Sequence, residues 1–161
     1  MAQQAEQLNP TQTRRVASFL NTYTLSFIVL ALAIGVSGYL SYLKIANANA
    51  PCLTGGAFDC GTVLNSAYSE LAGIPIAWLG LGTNFVVLGL IVASRRLGGF
   101  FQEYGTLMVF GVLLFAFIYS VYLVYLQAFV IQAYCPWCLS HEALVTVLFG
   151  LWSRKTWLDL A

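Results

Sequence analysis

What most constrains this chain is the absence of charge over three long stretches. No Asp, Glu, Lys or Arg occurs between Arg15 and Lys44, between Glu70 and Arg95, or between Glu103 and Glu142. A helix needs about 20 predominantly apolar residues to cross a hydrocarbon core, and each stretch can supply them. With 60% hydrophobic and 8% charged residues, the balance is far from that of a soluble domain. The chain is therefore expected to be an all-α integral membrane protein. A formal net charge of +1 offers no electrostatic footprint for nucleic acid, and 161 residues leave room for one compact bundle.

Four transmembrane helices are predicted, over about residues 19–43, 75–94, 104–131 and 135–152. The first contains FIVLALAIGV, and the second follows Gly73-Ile74-Pro75, a helix-start signal. Only Gln132-Ala133-Tyr134 separates the third from the fourth, and links this short make neighbouring helices antiparallel. Residues 1–15 are expected to form a polar, disordered tail, and residues 16–161 a single domain with a loop at 45–73. Within that loop Gly61–Leu71 is expected to be a short helix with Val63, Leu64, Ala67, Tyr68 and Leu71 on one face, lying over the bundle as a lid.

Arg14, Arg15, Arg95, Arg96, Arg154 and Lys155 all fall on one side of this topology, and only Lys44 on the other. Basic residues are retained in the cytoplasm, so both termini are expected there. Ala46-Asn47-Ala48 and Ala48-Asn49-Ala50 look like signal cleavage sites, but the first apolar run exceeds the roughly 7–15 residues of a signal core. The span is expected to persist.

The same topology puts Cys52, Cys60, Cys135 and Cys138 on the extracytoplasmic face, where disulfides persist. Spacing divides them into C-x7-C and C-x2-C pairs, although four cysteines allow three connectivities. Pro136 suits the first position of a helix, making Cys135 its N-cap. The helix N-terminus would then stabilise a thiolate and lower a thiol pKa, a property useful in exchange chemistry. Structural clips are the bland alternative. Closing the loop between Cys52 and Cys60 would add only about 2.5 kcal/mol, and a membrane bundle coheres by packing. A four-thiolate zinc site lacks the two paired short spacings, and Leu139 after Cys138 departs from the C-x-x-C-H of haem attachment. Two pairs on one face suggest a relay, with the loop bearing Gly55 and Gly56 swinging between an outside partner and the helix pair. A four-span adaptor or transporter subunit with inert disulfides is the reading from another class, and it predicts that single Cys→Ala changes leave function intact.

In order along the chain, Cys52 and Cys60, Ser66 in VLNSAY, Gly73-Ile74-Pro75 and Cys135-Pro136-Trp137-Cys138 resemble the bacterial vitamin K epoxide reductase homologues. The resemblance runs from the first span to the fourth. It implies a four-helix bundle around a quinone, whether ubiquinone, menaquinone or a related ring, that forms disulfides in partner proteins and feeds the membrane quinone pool. Carried over by position, Cys52 would exchange with a partner thiol, and Cys60 would attack a Cys135–Cys138 disulfide at Cys135. Cys138 would lie against the quinone ring, and Ser66 matches a polar residue near the pocket. Many members carry a fused thioredoxin-like domain; this sequence ends at Ala161, so the expected thiol donor is a separate, DsbA-like thioredoxin-fold protein. DsbB-type quinone oxidoreductases share the chemistry, but there the C-x-x-C pair comes first.

Quinone reduction takes up protons, which makes His141 and Glu142 candidates for a proton relay. Asn84 should face the bundle, since an unpaired amide in hydrocarbon is costly. Together with Ser66 and Tyr122 it is a candidate for the cofactor pocket. Tyr119, Tyr122, Tyr125 and Phe129 recur at helical spacing, a stripe that more often packs helices or forms an interfacial belt. Gly35 with Gly38 and Gly80 with Gly82 are expected to let helices approach closely.

Overall fold

A computed structural model describes residues 10–46, 48, 58–97 and 100–160. The chain forms α1 (Pro10–Ala46), α2 (Cys60–Leu64), a 3-10 turn (Ala67–Ser69), β1 (Glu70–Leu71), β2 (Ile74–Pro75), α3 (Ile76–Arg96), α4 (Phe100–Tyr125), a π-helical turn (Leu126–Ile131) and α5 (Pro136–Leu160). Among the described residues three helical segments are long and apolar enough to cross a membrane: Thr22–Ala46, Ile76–Arg96 and Glu103–Ile131. They occupy the charge-free stretches. Helix α5 is 25 residues long but not one of the three, because His141 and Glu142 near its start and Arg154 and Lys155 near its end dilute its apolar run. It nevertheless packs against α1 and α4, and α3 packs against the other sides of the same two helices. The long helices thus follow one another around a closed ring in the order α1, α3, α4, α5.

Lipid tails are as apolar as leucine, so helices in a membrane associate through packing and interhelical hydrogen bonds. Trp152 supplies both at the centre of the ring. It is fully buried with Leu30, Val87, Ile91 and Val109, meets Tyr23 edge to face at 5.8 Å, and donates from Nε1 to Ser26 Oγ at 3.1 Å. The closest glycine-mediated approach lies elsewhere than expected. A Cβ on Gly105 of α4 would come within 2.5 Å of Ser94 Cβ on α3, whereas Gly35, Gly38 and Gly82 have open space around them and, of the four glycines expected at contacts, Gly80 alone faces another helix, at 3.5 Å from the His141 ring. Small-residue spacing alone does not reveal which helix face meets a neighbour.

At one end of the ring the Arg95 guanidinium and Lys155 Nζ lie 4.9 and 5.5 Å from the Tyr23 ring centroid. At the other end Lys44 donates to the Leu64 carbonyl at 3.0 Å and pairs with Glu70 at 3.2 Å. Two of the six basic residues expected on one side, Arg95 and Lys155, thus share one aromatic ring, and Lys44 stands apart from them.

Three local expectations are corrected. Pro10–Arg15, assigned to a disordered tail, are helical, consistent with the aptness of proline at a helix start; residues 1–9 lie outside the described residues. The helix expected over Gly61–Leu71 stops at Leu64. There Asn65 Nδ2 donates to the Gly61 carbonyl at 3.0 Å and Ser66 Oγ to the Val63 carbonyl at 2.9 Å, side-chain bonds that compete with continuation of the helix. The fold is also not purely helical, since β1 and β2 pair antiparallel as Glu70 with Pro75 and Leu71 with Ile74. Ala72 and Gly73 connect them at φ 54° and 81°, the positive values that a two-residue hairpin turn demands.

Candidate redox site and cavity

Cys135 sits immediately before α5 and behaves as its N-cap. Its carbonyl accepts the first helical bond, from Leu139 N at 2.9 Å, and its Sγ accepts from Cys138 N at 3.3 Å. A serine or threonine oxygen commonly fills this role; here a thiol does. Its own N–H donates to Gln127 Oε1 at 3.0 Å, tying the cap to the π-helical turn. Both Cys135 and Cys138 carry free thiols. The hydrogen bond from the Cys138 side chain lowers the Cys135 pKa to about 7, against an opposing contribution from burial and with help from the Cys138 and Trp137 backbone N–H groups.

A second segment brings Cys60 to the same place. Asp59 N donates to the Tyr134 carbonyl at 3.1 Å, and Phe58 forms a parallel bridge with Tyr134. Asp59 then caps α2, accepting from Thr62 N at 3.0 Å and Thr62 Oγ1 at 2.7 Å, bonds that hold its carboxyl below the usual carboxylate range. Cys60 is disulfide-bonded and fully buried in one cluster with Val63, Ala133 and Cys135, against which Trp137 and Cys138 pack. Cys52 and the loop glycines Gly55 and Gly56 lie outside the described residues.

Below this cluster is a cavity of about 410 Å³ whose wall includes Cys138, His141, Glu142, Asn84, Ser120 and Gln127, set among aliphatic side chains such as Leu40, Val87 and Leu113. Its size lies in the range of small-molecule sites, and a mainly apolar wall with a few polar groups is their usual composition. Those properties fit a quinone, an apolar ring carrying two hydrogen-bonding oxygens. Asn84 is buried and uses Nδ2 twice, towards Ser37 Oγ at 3.2 Å and His141 Nε2 at 3.1 Å. With Nε2 engaged by Asn84, the other ring nitrogen of His141 is Nδ1. That nitrogen lies 3.9 Å from Glu142 Oε1.

The chain matches the Vitamin K epoxide reductase family over residues 24–152. It belongs to that family. Similarity also extends to the thiol-disulfide oxidoreductase LTO1 of Arabidopsis thaliana, 32% identical over 123 residues, covering 71% of this chain and 31% of the relative. The chain thus spans about a third of the length of that curated relative. The vitamin K epoxide reductase family is one of oxidoreductases, and together with the three apolar helices it makes this chain a membrane protein.

Among the residues singled out in this family member, Asn84, Ser66, Cys138, His141 and Glu142 all line the cavity. The Ser66 hydroxyl spends its proton on the Val63 carbonyl, which leaves it able only to accept. Tyr122 is absent from the wall and stands 48% exposed on the outer face of α4. Tyr119, three residues earlier and so on a neighbouring face, lines the cavity instead. Tyr125 and Phe129 are also exposed and lie tilted against each other with ring centroids 5.1 Å apart, so most of that stripe faces outward. The lid expectation survives in altered form: Val63, Leu64, Tyr68 and Leu71 do line the cavity, but a helix, a 3-10 turn and a strand carry them. Three buried polar residues of the wall went unnoticed in the sequence: Ser37, Ser120 and Gln127. The available signal was polarity itself, since buried polar groups in an apolar span need partners.

Proposed function

We propose that this protein is a membrane thiol:quinone oxidoreductase that generates disulfides, carrying electrons from an extracytoplasmic thioredoxin-fold partner through two cysteine pairs to a bound quinone. The observation that carries this reading is the division of the C-x-x-C pair between two environments. Cys135 shares a buried cluster with Cys60, while Cys138 lines the cavity.

In this scheme the partner's dithiol reduces the Cys52–Cys60 disulfide and leaves as a disulfide. The Cys60 thiolate attacks Cys135 of the Cys135–Cys138 disulfide, forming a Cys60–Cys135 bond and releasing Cys138. Cys52 then attacks Cys60, restoring the loop disulfide and leaving two reduced cysteines at the head of α5. A disulfide at Cys60 with free thiols at Cys135 and Cys138 has the electron distribution of that last state. A quinone in the cavity accepts two electrons and two protons. Lowering the Cys135 pKa makes it a better leaving group when Cys52 resolves the mixed disulfide.

Glu142 and His141 supply the proton route in this scheme, and Asn84 orients the imidazole. His141 Nδ1 faces Glu142, and its Nε2 faces the Asn84 amide. The clustering of Arg95 and Lys155 at the end opposite Lys44 supports an orientation with that basic end cytoplasmic and the cysteines outside. It also supports a membrane-crossing role for α5, the fourth member of the ring.

Single-turnover reduction tests the reading. Reduced protein mixed anaerobically with a water-soluble ubiquinone analogue should yield one quinol for every two thiols lost, and Cys138→Ala should yield none. Retention of all thiols by the wild-type protein would defeat the proposal.

A further inference from the structure

Most hydroxyls inside the helical ring are spoken for. Ser37 and Ser41 donate to the carbonyl one turn back at 2.7 Å, and Thr83 and Thr156 do the same at 2.8 Å. Ser120 of α4 is different. It is only 4% exposed, lines the cavity, and its Oγ has no hydrogen-bond partner among the described residues. A helical serine has a carbonyl within reach one turn back, and a buried hydroxyl without any partner is costly. An idle one on a cavity wall therefore calls for a partner inside the cavity.

The level of Ser120 indicates which part of an occupant it meets. Gln127, in the π-helical turn that continues α4, bonds the Cys135 N–H and so marks the outer end of the site. Ser120 lies seven residues earlier, about 10 Å deeper at the helical rise. On the antiparallel α5, Cys138 lies roughly 4.5 Å and His141 roughly 9 Å below Cys135 by the same measure. Ser120 thus stands near the level of the Asn84–His141 pair, on a different wall and one layer deeper than the Cys138 sulfur.

We infer that the Ser120 hydroxyl is a positioning group for the quinone, hydrogen-bonded to a ring oxygen on the side away from Cys138. The inference rests on the proposed function. A hydroxyl suits the task because it donates to a carbonyl and accepts from a phenolic hydroxyl, and so can hold the ring both before and after reduction. No other described hydroxyl on the cavity wall is both buried and unpartnered.

The test compares wild type, Ser120→Ala and Ser120→Thr in three measurements: equilibrium binding of a ubiquinone analogue, the infrared carbonyl bands of the bound quinone, and melting of the ligand-free protein. Ser120→Ala is expected to weaken binding about tenfold and to abolish one down-shifted carbonyl band. It should leave ligand-free melting unchanged or raised, since no native bond is lost, while Ser120→Thr keeps the band. Equal affinity and an unchanged band in Ser120→Ala would overturn the inference. So would a ligand-free melting loss with the band intact, which would show that the hydroxyl serves the protein's own packing. Failure of the wild-type protein to bind any quinone would instead refute the proposed function, and this inference with it.

Discussion

Removing the Cys138 thiol should raise the pKa of Cys135. The hydrogen bond from the Cys138 side chain is the largest cause of a Cys135 pKa near 7, ahead of the backbone N–H groups of Cys138 and Trp137. Because a depressed pKa favours the anion, thiolate should accumulate in the reduced protein as pH rises through about 7 and disappear below it. An unperturbed thiol titrates near 8.5, so losing the interaction would cut the thiolate fraction at neutral pH from about half to as little as about 3%. Cys138→Ala removes the thiol but keeps the backbone N–H, which separates the two causes. Ultraviolet thiolate absorbance, with Cys135→Ala as the blank, gives the midpoint directly. A value that stays near 7 in Cys138→Ala would refute the assignment and leave the helix N-terminus as the source of the shift.

Two further outcomes are expected. Gly105→Ala should force α3 and α4 apart, because its Cβ would meet Ser94 Cβ at 2.5 Å. Overpacking of this kind costs about 1–3 kcal/mol, so melting should fall by several degrees, whereas Gly82→Ala, with open space around it, should melt like the wild type. His141→Ala and Glu142→Gln should slow quinol formation and change its pH dependence while leaving exchange at the loop cysteines intact; rates unchanged across pH in both variants would remove these residues from the proton route.

The positions of the long helices were legible because absence of charge over some 20 residues leaves few alternatives to a spanning helix. The cap at Cys135 was legible too, since Pro136 fixes the start of α5. The loop was harder. Val63, Leu64, Tyr68 and Leu71 follow a helical spacing, and all reach the cavity, yet Asn65 and Ser66 end the helix with local hydrogen bonds. Periodicity foretold the inward face for four of its five side chains, Ala67 being exposed and off the cavity wall, but not the backbone that delivers them. Polar placement within the spans was half legible. Asn84 had to face inward because of its desolvation cost, but its union with Ser37 and His141 depends on the rotation of three helices. Tyr122 and Tyr119 show the same limit: a stripe at helical spacing specifies a face without saying which neighbour, lipid or cavity lies against it.

The central claim is a two-stage relay, and steady-state quinone reduction tests it most directly. Wild type, Cys52→Ala and Cys138→Ala are compared with two electron donors, a reduced thioredoxin-fold protein and dithiothreitol. The account predicts that Cys52→Ala fails with the protein donor yet works with dithiothreitol, while Cys138→Ala fails with both. Equal activity of all three proteins with both donors would contradict it and reduce the cysteines to structural clips.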